Sequence, residues 1–237
     1  MKILALYDIH ANVEALEAVL ADPRAAGAEA VVVGGDAVPG PFAHATLDRL
    51  EALEVPVHWV RGNGEREVAD PPPGDDPVAV TSQASADELG ERAKPLGELP
   101  PTLELDGVLF CHATPRSDSE ILTRISTAER WADAFADVDA PLVVAGHTHQ
   151  QDDRTVGATR FVNAGSVGLP YEGDGAARWL WLVDGEPTLM KTEYDAAGAG
   201  QRILDSGWPD ARSTVAALTK PSAPEVITQL FEERASG

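Results

Sequence analysis

The chain has 237 residues, 43% hydrophobic and 24% charged, enough for one sizeable domain or two small ones with ordinary globular usage. Its net charge of -21, from 39 acids against 18 bases, repels a nucleic-acid backbone, and no basic block offers an exception. No apolar run approaches the ~20 residues that span a bilayer, the start "MKILALYDIH" reads as a buried strand rather than a signal peptide, and the single Cys111 fits a reducing cytoplasm.

In chain order, "KILALY" predicts a buried strand and "NVEALEAVLAD" a helix with Val13, Leu16, Val19 and Leu20 on one face. "AEAVVVGGD" is a second strand, "PFAHATLDRLEAL" a second helix and "VPVHWV" a third strand. Strands separated by crossover helices imply parallel β-α-β pairing. "DPPPGDD" is a loop, followed by a helix around "SADELGERA". "TLELDGVLFCH" carries Asp106-Gly107 between apolar runs, a strong hairpin signal. A helix around "TAERWADAF" and a strand "PLVVAG" follow. "TRFVNAGSV…RWLWLVDGEPTLMKTEY" reads as antiparallel strands with a second turn at Asp184-Gly185. After Pro224, Val226, Ile227, Leu230 and Phe231 fall at helical spacing, in a tail free to pack on its own domain or on a partner. The reading is one α/β domain, 1–237, with a mixed sheet system, a core of 1–194 and a helical extension of 195–237.

Ligands of such sheets gather at the carboxyl ends of parallel strands. Asp8 and His10 follow the first strand, Asp36 the second and Asn63 the third; His112 follows "GVLFC", and His147 and His149 follow "PLVVAG". These seven residues can all donate lone pairs to a metal, and seven suit two ions. The Asp8/His10 and His147/His149 pairs share an i, i+2 spacing that aims both side chains one way in extended chain. Asp36 has two oxygens and can bridge. Asn63 is a neutral ligand, and Gly62 and Gly64 clear space around it. Imidazole and carboxylate without thiolate favour Mn, Fe or Zn over a structural zinc site. Singly, each position has an ordinary explanation: Asp8 and Asp36 as caps, His112 as a hydrogen-bonded residue at a hairpin end. Coincidence at five strand ends is harder to accept. Asn12 reads as the N-cap of the helix from Val13, with substrate contact as the alternative. His44, His58 and Cys111 read as structural.

These residues, in this order, resemble the calcineurin-like metallophosphoesterase superfamily, in particular its small bacterial and archaeal phosphodiesterase-type members. The matches are "DIHAN", "GGDAV", "GNGE", "CHATP" and "GHTH", with "FVNAGSVGLP" similar to an Asn-x-Gly-Ser segment, over residues 1 to about 185. The resemblance implies a four-layer α-β-β-α sandwich of two facing mixed β-sheets. It implies two divalent metal ions, Mn first and Fe, Zn, Ni or Mg as alternatives. Asp8, His10 and His149 would hold one and Asn63, His112 and His147 the other, with Asp36 bridging. Asp36, Asn63 and His112 would be catalytic, and a bridging water would attack in line. Asn163 and Ser166 are expected to orient the imidazoles, and Arg116 and Asn12 are candidates for substrate contact. The implied activity is a cytoplasmic, metal-dependent phosphatase or phosphodiesterase acting on a small phosphorylated substrate, without membrane or nucleic-acid partners. The alternative is a non-catalytic scaffold that keeps the fold. One departure stands out: where the family pattern has a histidine after the asparagine, this chain has Gly64. Glu65 could substitute for it only by turning inward, and it is expected to face outward.

Overall fold

Alternation along the first strand decides the layering. In β1 (Lys2–Leu6), Ile3 and Ala5 point to one face and Leu4 and Leu6 to the other, and all four are buried. A strand apolar on both faces must be covered on both sides. The computed structural model describes residues 1–236. In it, β2 (Ala30–Val33) pairs parallel with β1, and β3 (Val57–Trp59) with β2, through the helices α1 (Val13–Ala21) and α2 (Ala43–Glu51). Asn12 caps α1 by accepting the Ala15 N–H.

The chain then runs through α3 (Asn63–Ala69), α4 (Pro77–Leu89) and the short α5 (Ala93–Leu96). Asp76 caps α4 with Pro77 in its first turn, so the acidic loop "DPPPGDD" ends as a helix start. The hairpin of β4 (Thr102–Leu105) and β5 (Val108–Cys111) turns at Asp106 and Gly107 with φ of 52 and 79, the left-handed pair such a turn demands. After α6 (Ala128–Ala134), β6 (Leu142–Ala145) joins β5 in parallel. Then come β7 (Asp152–Val156), β8 (Thr159–Asn163), β9 (Ala177–Val183) and β10 (Glu186–Thr192).

Two five-stranded mixed sheets result, ordered β10-β9-β1-β2-β3 and β4-β5-β6-β8-β7. Ile3, Ala5, Val32 and Leu180 of the first meet Phe110, Val144 and Val162 of the second, and the Tyr7 hydroxyl donates across the interface to the Val144 carbonyl at 2.9 Å. The outer face of the first sheet carries Leu6, Val33 and Trp179 against Leu16 and Val19 of α1. That of the second carries Cys111, Val143 and Phe161 against Trp131 and Phe135 around α6. The four-layer sandwich is therefore the architecture. Cys111 is buried in the outer α6 layer, and that burial raises its thiol far above the usual range.

The stretch from Thr159 onward corrects the sequence reading. β8 is not a neighbour of β9 but lies parallel to β6 in the other sheet. β7, polar along its length, went unpredicted and pairs antiparallel with β8. Their turn at Gly157 lacks an Asp-Gly signal, and β7 is an edge strand with no buried alternation to reveal it.

The tail forms α7 (Ala196–Asp205), α8 (Ala211–Thr219) and α9 (Pro224–Ser236). Ile203, Ala211 and Leu218 build a cluster against Phe42, Leu169 and Trp208, so the tail packs on its own domain. Within α9, Thr228 donates to Gln150 at 2.7 Å and Glu232 accepts from the Thr123 and Ser126 hydroxyls at 2.7 Å each. No helix among the described residues is long and apolar enough to cross a membrane.

Candidate metal centre

Every ligand-type residue anticipated at a strand end arrives at the same edge of the sandwich: β1, β2 and β3 are parallel in one sheet, β5 and β6 are parallel in the other, and their ends meet where His112 Nε2 lies 3.8 Å from Asp8 Oδ1. The main chain pays for this convergence in strain. Asp8, His10, Asp36, His147 and His149 all have positive φ, between 46 and 69. Non-glycine residues enter that region at a cost of order 1–3 kcal/mol each. Pairing holds them there: beyond the strand ends, Asp8, His10 and Ala11 still donate N–H bonds to Gly35, Asp36 and Ala37 at 2.8–3.0 Å.

Three imidazoles have their ring tautomer set by main-chain carbonyls. His10 Nδ1 meets Pro39 O at 3.2 Å, His112 Nδ1 meets Gly34 O at 3.1 Å and His149 Nδ1 meets Leu169 O at 2.7 Å. A carbonyl only accepts, so each Nδ1 carries a proton, and in the neutral ring each Nε2 carries the lone pair. Those lone pairs crowd together. His10 Nε2 and His149 Nε2 are 3.1 Å apart, His149 Nε2 is 3.2 Å from Asp8 Oδ1, and His112 Nε2 is 3.4 Å from Asp36 Oδ1. Among the described residues, the buried Asp8 Oδ1 has no hydrogen-bond partner. The Asn63 oxygen faces His147 Nδ1 at 3.1 Å and the Asp118 carbonyl at 3.3 Å; only with the amide turned over would that atom be a donor to both. This crowding of acceptor atoms in one space suits a cation.

Asp8, His10 and His149 form one group able to hold a metal ion, and Asp8, Asp36 and His112 another, the ligand atoms of each lying within 4.8 Å of one another. Asp8 thus reaches both groups, and Asp36 Oδ2 also comes within 3.9 Å of His10 Nε2. His147 stands beside His112, ring centroids 5.1 Å apart. The electrostatics carry the same demand for positive charge. Burial opposes protonation of His112, but Asp36, Asp8 and Glu65 outweigh it and push its pKa up to about 10. Burial, then the neighbouring His112, lowers His147 to about 4.

A family model described as the calcineurin-like phosphoesterase superfamily domain matches residues 1–184. The chain belongs to this superfamily. A search of curated proteins finds no match. A metallophosphoesterase structure from Sphaerobacter thermophilus is similar at 28% identity and a TM-score of 0.74, covering 92% of this chain and 98% of that one. The hypothetical protein PH1004 from Pyrococcus horikoshii OT3 shares the fold at 21% identity and a TM-score of 0.77, over 92% and 97% of the two chains. Both similarities extend past the family match into the tail.

Within this phosphoesterase fold, Asn163 and Ser166 do not touch the imidazoles. Asn163 donates to the Gly146 carbonyl at 2.6 Å and to the Thr148 hydroxyl at 3.1 Å, clamping the segment that presents His147 and His149. Ser166 donates to the Asp8 carbonyl at 2.7 Å. The imidazoles are oriented by main-chain carbonyls instead. Asn12 spends its amide on Gly168 and Tyr194, so its capping role accounts for it. Arg116 pairs with Glu120 and Asp133 and lines a different cavity with Arg61 and Arg66. Tyr171 stacks on His149 at 4.7 Å and is backed by Phe231 of α9.

Glu65 is the main correction to the site as read from sequence. It is turned inward and buried, and its carboxylate accepts the N–H groups of Gly62, Asp36 and Ala37, each at 2.8 Å. Burial and the neighbouring Asp36 push its pKa up to about 7. The signal was present: Gly62-x-x-Glu65 has capping-box spacing, and Glu65 is the third residue of α3 returning to the cap N–H. Its carboxylate therefore holds two loops together rather than facing a substrate. A Cβ at Gly64 would lie 2.2 Å from the Val38 carbonyl oxygen, so main chain fills the place where a side chain would start.

Proposed function

We propose that this phosphoesterase hydrolyses a small phosphate ester at a dinuclear divalent-metal centre. Asp8, His10 and His149 would hold one ion and His112 with Asp36 the other, with Asn63 and His147 as its further ligands and Asp8 within reach of both groups. The observation that carries the reading is the convergence of the Nε2 lone pairs of His10, His112 and His149 on Asp8 and Asp36, with Asp8 Oδ1 left without a protein partner. Bound ions would supply Lewis-acid polarisation of the phosphoryl oxygens and a nucleophile at neutral pH. Mn is the first candidate on ligand type. The chain's own part is positional. Main-chain carbonyls hold the three Nδ1 protons, and the Gly64 N–H donates to Asp36 Oδ1 at 2.7 Å, fixing the central carboxylate.

Position 64 has no side chain and Glu65 is committed to main-chain N–H groups, so neither offers a proton to the departing oxygen. Turnover should therefore depend steeply on the leaving group. Chelator-stripped protein supplied with Mn²⁺ should hydrolyse bis-p-nitrophenyl phosphate and p-nitrophenyl phosphate, and should be slower by orders of magnitude on unactivated alkyl esters. Asp36→Asn should reduce the Mn²⁺-dependent rate at least a hundredfold while the fold, followed by circular dichroism, is kept. Full activity in Asp36→Asn would sink the assignment. Silence on both substrates by protein shown to bind Mn²⁺ would favour a non-catalytic role.

A further inference from the structure

The metal-ligand cluster forms the floor of a cavity of about 210 Å³, where His10, Asp36 and Asn63 are exposed to the same space. Part of its wall comes from beyond residue 184, where the family match ends. Trp208, Asp210 and Thr214, on and just before α8, line the same cavity as His10 and Asn63. They are held there by the tail cluster, in which Trp208 packs with Leu169 and Phe42 of the main domain. Glu67, on α3, lies on the same wall as a second carboxylate. Among the described residues, no lysine or arginine lines the cavity. Its size is below the ~300–1,000 Å³ typical of sites for drug-sized ligands, which limits the occupant to a compact group.

These features specify an organic group by charge. The phosphoryl group is neutralised at the metal floor, so the walls act on whatever else the ester carries. An ester with a further anionic group would meet Glu67 and Asp210 with no cation to receive it. A cationic group would meet two acidic residues, Glu67 and Asp210, beside the tryptophan Trp208, residue types that attract alkylammonium groups by charge and by cation–π interaction. Resting on the phosphoesterase reading above, we propose that the tail forms part of the substrate site and selects a phosphate ester whose retained organic group carries a compact alkylammonium.

The test uses the full chain with Mn²⁺ and two diesters that share one leaving group, p-nitrophenyl phosphorylcholine and bis-p-nitrophenyl phosphate. In each, water adds to phosphorus, the bond to p-nitrophenolate breaks, the proton goes to solvent and the other group stays on the phosphomonoester. The readout is the ratio of kcat/KM for the two, which cancels leaving-group chemistry and metal loading. The wild type should favour the choline ester by about tenfold or more. Asp210→Asn and Trp208→Ala should each collapse that ratio toward one, chiefly through KM, and Asp210→Lys should bring it below one. If Trp208→Ala does not fold, the two Asp210 variants still decide. Turnover of bis-p-nitrophenyl phosphate without preference for the choline ester, or a preference unmoved by the Asp210 variants, overturns this inference and leaves the phosphoesterase reading intact. Absence of Mn²⁺-dependent turnover on both diesters overturns the inference and the reading together.

Discussion

Glycine at position 64 is a packing requirement before it is a missing catalytic group. A Cβ there would sit 2.2 Å from Val38 O and 2.8 Å from Asp36 Oδ1, contacts that demand a main-chain shift. Gly64→Ala should cost about 1–3 kcal/mol, the usual penalty for overpacking, and lower Tm by several degrees in a thermal melt. Gly64→His should be no better, so inserting the family histidine should not raise the rate. A second residue prediction concerns Asp22, a buried carboxylate that accepts from Arg24 at 2.5 Å and from the Thr192 hydroxyl at 2.6 Å. The Arg24 hydrogen bond outweighs burial and holds its pKa below the usual carboxylate range. A depressed folded-state value means the stabilisation is complete above the unfolded pKa of ~3.9 and fades as pH falls through the folded one. Asp22→Asn should therefore cost about 1–2 kcal/mol at pH 7, discounted because Arg24 is half exposed. Urea denaturation should show the same gap at pH 5 and a shrinking one below about pH 4. A gap that widens in acid would contradict this account.

At the scale of elements, α3 earns attention because it begins within the site. Its Glu65 ties the turn after β3 to the turn after β2, and both turns carry candidate ligands, Asn63 and Asp36. Glu65→Ala would strand four main-chain N–H groups, those of Gly62, Asp36, Ala37 and Val38, each buried donor costing about 1–3 kcal/mol when unpaired. We expect a Tm loss together with a weaker Mn²⁺ affinity by titration calorimetry, and a smaller loss of both in Glu65→Gln, which keeps one acceptor oxygen. Equal metal affinity in the wild type and Glu65→Ala would show that the loops hold their shape without it. Local signals served well for most elements. The Asp106-Gly107 and Asp184-Gly185 hairpins, the strand runs of β1, β2 and β6 and the Asn12 cap all follow from chemistry within a few residues. Glu65 was misread because three of its four N–H partners lie 27 to 29 residues away in sequence.

For the whole molecule, the cluster of unshielded acceptors makes the fold a partner in metal binding. A ligand that binds only the folded state stabilises it by about 2.7 kcal/mol at a hundredfold excess over Kd. For a domain of this size that corresponds to a rise of roughly 5–10 °C in Tm. Stripped protein should show that rise on adding Mn²⁺, and Asp36→Asn should lose most of it. No rise in the wild type would contradict the metal-centre reading independently of any substrate.

By itself, the amino-acid sequence determined the inventory of ligands, the strand ends that carry them and the turns between adjacent strands, because each depends on side-chain periodicity and short-range backbone preference. The tertiary structure alone decided the rest. It put β8 beside β6 rather than β9, since buried apolar faces of similar composition do not name their neighbours. It turned Glu65 inward to N–H groups from a distant loop. It brought Trp208, Asp210 and Thr214 to the cavity above His10 and Asn63, across some two hundred residues of chain at the widest. Such contacts are fixed by how whole layers pack, and no local pattern records them.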